Sequence, residues 1–186
     1  MRTLIIYFSQ TGGTLKVAEC IRDGVADMTG ECDMASIEEV AAGSLGDYDL
    51  VGLGCPVFYF QEPFNVRAFM DGLPDLNGKL WFLFCTHGSS WGNIFPLMAE
   101  RLKKKGIIVV DYHHTYSDAS LPYYPYPGMT HGHPDPQELE EARAFGREIV
   151  ACGKRIAGGD QSLIPSPEAV PEDWVVIAKM YTPEYM

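Results

Sequence analysis

Six residues near the start of the chain, Ser9-Gln10-Thr11-Gly12-Gly13-Thr14, have the types and order of an anion-binding loop. They follow an apolar run and open a helical pattern. Backbone N–H groups at a helix N-terminus attract negative charge, and glycines let a phosphate approach the main chain. The hydroxyls of Ser9, Thr11 and Thr14 can each donate a further hydrogen bond. The loop carries no cation, which suits a single phosphate held by neutral donors. A P-loop would need Gly-Lys-Ser/Thr after four intervening residues, and Lys16 is misplaced for it; Gly-x-Gly-x-x-Gly is also absent. A glycine turn with a capped helix is the plainer alternative.

Two later stretches carry the same kind of interest. Gly54-Cys55-Pro56-Val57-Phe58-Tyr59-Phe60-Gln61-Glu62-Pro63 places three aromatics in a row beyond an apolar run. Exposing them costs free energy unless something flat covers them by stacking. Core packing is the competing use, above all for Phe60. Thr86-His87-Gly88-Ser89-Ser90-Trp91-Gly92-Asn93 has glycines that permit close backbone contact and a Trp that can shield one face of a ligand. A capped turn into the next helix would explain it too. His113-His114 and His131-x-His133 invite a metal reading, but no Cys lies near the second pair and His113 and His114 face opposite ways on a strand, so no metal is expected. No nucleophile–base constellation is present, and no catalytic side chain is assigned.

The elements that must position these loops alternate along the chain. Thr3 to Phe8 has no charge and reads as a strand buried on both faces. Apolar residues at Leu15, Val17, Ala18, Ile21, Val25 and Met28 make Thr14 to Met28 a helix, with Thr14 as its cap. Cys32 to Ile37, Asp49 to Cys55, Lys79 to Thr86 and Ile107 to Tyr112 supply four more strands. Pro63 to Gly72, Asn93 to Lys105 and Asp135 to Ala157 read as helices, with Gly106 and Gly158-Gly159 as stops. This alternation predicts an α/β fold, a doubly wound five-stranded parallel sheet in the order 2-1-3-4-5. Ligands of such sheets sit beyond the carboxyl ends of the strands, where the strand order reverses, and all three loops leave that edge. Thr115 to Pro134 has many Tyr and Pro and almost no periodicity; Tyr123, Tyr124 and Tyr126 could lid the site or receive a partner.

The bulk numbers bound the partners. The 186 residues fit one domain, and a net charge of -11 argues against nucleic acid and an anionic membrane surface while suiting a basic docking partner. The 5 cysteines are widely spaced with no C-x-x-C, as expected of free thiols in a reducing cytoplasm. No secretory signal and no stretch approaching the ~20 residues of a membrane span is expected.

The first loop resembles the phosphate loop of the flavodoxin superfamily, Ser-x-Thr-Gly-x-Thr directly after the first strand, matched by Ser9, Thr11, Gly12 and Thr14. The resemblance implies a flavodoxin-like fold over about residues 1–157 and FMN as cofactor, with 158–186 a Pro-rich tail. The second loop, continuing through Val66-Arg67-Ala68-Phe69-Met70-Asp71, is similar to the family's Gly-x-Pro-Val-Tyr…Pro…Lys-x-Phe-x-Asp pattern, with Phe58 in place of Tyr and Arg67 in place of Lys. The third is similar to its Thr-x-Gly-rich loop at the flavin edge. FMN would then meet Ser9, Gln10, Thr11, Gly12, Gly13, Thr14, Pro56, Val57, Phe58, Tyr59, Phe60, Thr86, His87, Gly88, Trp91, Gly92 and Asn93. Gly132-His133-Pro134 before the acidic helix resembles flavodoxin domains associated with ferredoxin modules. Three functions follow: an electron carrier between redox proteins, with a ferredoxin- or reductase-type partner; an FMN-dependent NAD(P)H:acceptor oxidoreductase of quinone type; or a flavin-free interaction module. The acidic surface favours the first, the aromatic loops the second, and the intact phosphate loop disfavours the third.

Overall fold

A computed structural model describes residues 1–119, 127–128 and 130–165. The tyrosines at 123, 124 and 126 and most of the tail lie outside these residues. Strands β1 (Thr3–Tyr7), β2 (Asp33–Ser36), β3 (Leu50–Pro56), β4 (Leu80–His87) and β5 (Ile108–Tyr116) form one sheet in the order β2-β1-β3-β4-β5, with every pairing parallel. Helices α1 (Gly13–Thr29), α2 (Phe64–Asp71), α3 (Ile94–Lys103) and α4 (Pro136–Ala157) cross between strands or close the sheet. The order reverses at β1, as the alternating pattern predicts.

Parallel strands buried on both faces explain the long uncharged runs. Ile6, Leu53, Leu83 and Val109 face α2 and α3, where Val66, Met70, Ile94 and Met98 complete one core. Ile5, Phe82, Phe84 and Val110 face α1 and α4, meeting Val17, Ile21, Phe145 and Ile149. Phe82 and Phe84 lie across Gly52 and Gly54 of β3, where an added Cβ would come within 2.3 Å and 2.0 Å of the rings. Beneath them, α1 and α4 touch backbone to backbone at Gly24 and Gly146. At its start α4 carries a capping box: the Glu138 N–H donates to Asp135 Oδ1 at 2.9 Å and the Asp135 N–H donates to Glu138 Oε2 at 2.8 Å.

Three boundaries depart from the sequence pattern. Thr14 is not the cap of α1. That place belongs to Gly12, in the left-handed region at φ 90°, and no side chain caps the helix. The third strand extends one residue past Cys55 to Pro56 and the fourth one past Thr86 to His87, so the third loop begins at Gly88. Most consequential, β5 does not stop at Tyr112 but continues to Tyr116, pairing His87 with Tyr116. Its last residues alternate polar with aromatic, so the apolar signal ends before the hydrogen-bond ladder does. Among the described residues no helix is long and apolar enough to cross a membrane.

Candidate functional site

At the carboxyl edge of the sheet the first loop runs from Ser9 to Thr14. The Gly12 N–H donates to Ser9 Oγ at 3.2 Å, which folds the loop back on itself. Among the described residues, the N–H groups of Gln10, Thr11, Gly13 and Thr14 meet no protein acceptor. The first turn of α1 contains no acidic residue and no capping side chain. A helix start with open donors and positive dipole is a site for an anion. Gly13 packs closely on Ser117, since a Cβ there would lie 2.1 Å from Ser117 Oγ and 3.3 Å from its Cβ. The Thr14 hydroxyl is turned inward, 2.7 Å from the Thr86 hydroxyl in a buried pair. Thr14 therefore ties the first loop to β4, a different task from capping.

The second loop is a tight turn. Phe58 and Gln61 exchange backbone hydrogen bonds of 2.9 and 3.1 Å, and Tyr59 and Phe60 between them sit at φ 49° and 65°. Two consecutive non-glycine residues in that region cost about 1–2 kcal/mol each, so the surroundings must hold the turn. Part of the hold comes from the third loop. The Asn93 N–H donates to the Phe60 carbonyl at 2.8 Å, and Gly92 packs against Phe60 so closely that a Cβ would fall 2.4 Å from the Phe60 Cβ. The Val57 N–H donates to the Thr86 carbonyl at 2.9 Å. Loops two and three thus form one unit.

Aromatic surface lines this unit. Tyr59 is 51% exposed, Trp91 41% and Tyr116 42%, with Phe58 beside them. Trp91 stacks on His114 at 4.0 Å between centroids, and the buried His87 meets the edge of Tyr116 at 4.7 Å. His87 Nε2 and His114 Nδ1 lie within hydrogen-bond distance at 3.2 Å, with either ring able to donate. Burial, then the neighbouring His114, pushes the His87 imidazole down to about 4, so it is neutral at pH 7. His113 points to the opposite face, stacks on Phe145, and burial with nearby His114 lowers it to about 4 as well. Two buried polar atoms that flank the third loop, His87 Nδ1 at the end of β4 and Asn93 Nδ2, have no hydrogen-bond partner among the described residues.

All seventeen residues singled out in the sequence therefore stand at or next to one edge. Phe60 packs partly inward, as its core reading allows. His114, Tyr116 and Ser117 belong there too and were not among them. The alternation His114, Thr115, Tyr116 beyond an apolar strand is the signal that marks them. A cleft of about 370 Å³ lies on the β2 side of the first loop, against Ser36 and Glu38. A larger hollow, about 570 Å³, lies by Lys79 and Lys154 at the opposite edge, away from the three loops. Among the described residues His133, Asp135 and Glu138 place ligand-type atoms within 4.8 Å of one another, but the two carboxylates are those of the capping box of α4.

A family model described as a flavodoxin domain matches residues 4–117. The chain belongs to the flavodoxin family. It is 25% identical over 158 residues to an uncharacterized protein of Methanocaldococcus jannaschii, covering 81% of this chain and 99% of that one. A flavodoxin of Clostridium beijerinckii is 27% identical over 110 residues, 58% of this chain and 80% of the relative. Among solved structures, a flavodoxin from the domain Archaea superposes with a TM-score of 0.64 at 23% identity, over 83% of this chain and 99% of that one. That likeness establishes the flavodoxin fold.

Proposed function

We propose that this flavodoxin-family protein binds FMN at the three loops and passes electrons between redox proteins. The observation that carries the reading is the uncapped start of α1, where the N–H groups of Gln10, Thr11, Gly13 and Thr14 meet no acceptor among the described residues, beside the hydroxyls of Ser9 and Thr11. The residues fit the cofactor: a phosphate completes the donors of Ser9 to Thr14, and a flat ring covers exposed Tyr59 and Trp91. Bound FMN supplies the reversible uptake and release of electrons. The protein's part is to hold the phosphate with neutral donors, to exclude water from the ring with aromatics, and to keep the neighbouring imidazoles uncharged.

The net charge of -11 favours a basic partner of ferredoxin or reductase type, and five free cysteines suit a reducing cytoplasm. The domain reading assigns 1–157 to the flavin-binding unit and 158–186 to a tail.

Phosphate dependence tests the cofactor. FMN quenched in fluorescence titrations should bind far more tightly than riboflavin, and Thr11→Val should weaken FMN by about 1–3 kcal/mol. Equal affinities for FMN and riboflavin would refute the assignment. A second reading, direct reduction by a nicotinamide, is favoured by the exposed aromatics at the open edge. Anaerobic mixing with NADH and NADPH decides between them. Flavin bleaching within seconds followed by turnover with a quinone selects the reductase. No bleaching, with salt-sensitive reduction by a partner protein, selects the carrier.

A further inference from the structure

Beneath the second loop lies an ionic cluster that the flavin site itself does not explain. Glu62 is buried, with its side chain 1% exposed, and a single carboxylate oxygen accepts from Arg67 Nε at 2.9 Å and from Arg101 Nε at 3.2 Å. Its other oxygen has no partner among the described residues. Arg101, on α3, also grips both oxygens of Asp71 at the end of α2, at 2.9 and 3.0 Å. Arg67, on α2, uses its remaining arm differently: Nη2 donates to Gln61 Oε1 at 2.9 Å. Its guanidinium lies over the Phe64 ring, 5.3 Å from the centroid. Gln61 is the residue that closes the strained turn at Tyr59 and Phe60.

Buried ion pairs of this kind add little net stability compared with apolar packing, because desolvation offsets attraction. What they supply is geometry. We propose that Arg67 is a positioning residue for the cofactor, its guanidinium fixed by Glu62 and so setting the Gln61 turn that presents Tyr59 and Phe60 to the flavin. The proposal rests on the FMN reading for its function and on the hydrogen-bond geometry for its mechanism. A planar fork meets two acceptors at once. A lysine ammonium would retain the Glu62 charge partner but lose the fixed reach to Gln61.

The test compares wild-type protein with Arg67→Met, Arg67→Lys and Glu62→Gln. Three quantities are read: chymotrypsin cleavage at Phe58 to Phe60 without flavin, the FMN dissociation constant with the visible-region circular dichroism of bound FMN, and the urea midpoint. Arg67→Met is expected to speed loop cleavage and weaken FMN by about tenfold each, with altered dichroism. Arg67→Lys is expected to recover the urea midpoint but not the cleavage rate or dichroism. Glu62→Gln should act on cleavage in the same direction as Arg67→Met. Wild-type cleavage and dichroism in Arg67→Met would overturn the proposal, as would full recovery of all three readouts by lysine. Because cleavage needs no flavin, a wild-type protein that failed to bind FMN would refute the cofactor while the turn mechanism would still be judged by cleavage.

Discussion

Substituting Gly92 by alanine separates the cost of a backbone conformation from the cost of a collision. Gly92 sits at φ 56°, where an L side chain loses about 1–2 kcal/mol. A Cβ there would also lie 2.4 Å from the Phe60 Cβ and 2.8 Å from both its Cα and its carbonyl oxygen. Ordinary contact starts near 3.4 Å, so the turn at Tyr59 and Phe60 must retreat by about 1 Å. That retreat strains the Asn93 N–H bond to Phe60 and moves the exposed aromatic face. Gly78 is the control. It stands at φ 78° at the opposite edge of the sheet, with nothing within 4 Å of a Cβ. Gly78→Ala should lower unfolding free energy by about 1–2 kcal/mol in urea melts, and Gly92→Ala by that amount plus about 1–3 kcal/mol for the collision. Only Gly92→Ala should weaken FMN, by at least about tenfold, or 1.4 kcal/mol, in fluorescence titration. If the two variants bind FMN equally well, the docking of the third loop on the second does not shape the cofactor site.

Two further outcomes follow from buried groups. Thr14→Val or Thr86→Val alone leaves one buried hydroxyl without its partner and should cost about 1–3 kcal/mol in urea, while the double variant should cost clearly less than both together; simple additivity would mean the pair is not coupled. His87 and His113 are both held well below their ordinary value of 6.5 by burial, so the folded state resists their protonation. The stability they support is complete above about 6.5 and is lost as pH falls towards about 4; urea midpoints of His113→Phe should fall less steeply through that range than those of the wild type, and identical slopes would refute the assignment.

The sheet was legible because its signal is local and repeated. Uncharged runs marked β1, β3 and β4, and the helical periods of α1 and α4 fixed their alternation with strands. The end of β5 was missed because its apolar run stops at Tyr112 while pairing with β4 carries the strand through His113 to Tyr116, where only a polar and aromatic alternation marks it. Thr14 illustrates a second limit. A hydroxyl at a helix start reads as a cap, but the side chain finds a partner 72 residues away. Arg67 illustrates a third: its two acceptors and its ring contact depend on how the chain turns at Pro63, which no spacing announces. The place of the three loops at one edge was readable, since each follows a strand of a parallel sheet, while their glycine, hydroxyl and aromatic residues left a capped turn or core packing as plainer uses.

The bare start of α1 also couples the lifetime of the chain to the supply of its ligand. With Gly12 at the cap and no acid in the first turn, no side chain among the described residues offsets the helix's open donors. An anion bound there raises the free energy of unfolding by RT ln(1 + [L]/Kd), about 2.7 kcal/mol at a hundredfold excess over Kd. If that anion is the FMN phosphate, as proposed, a cell short of flavin would hold a larger unfolded fraction of this protein for its proteases to remove. Abundance would follow cofactor availability with no regulator beyond a helix left uncapped.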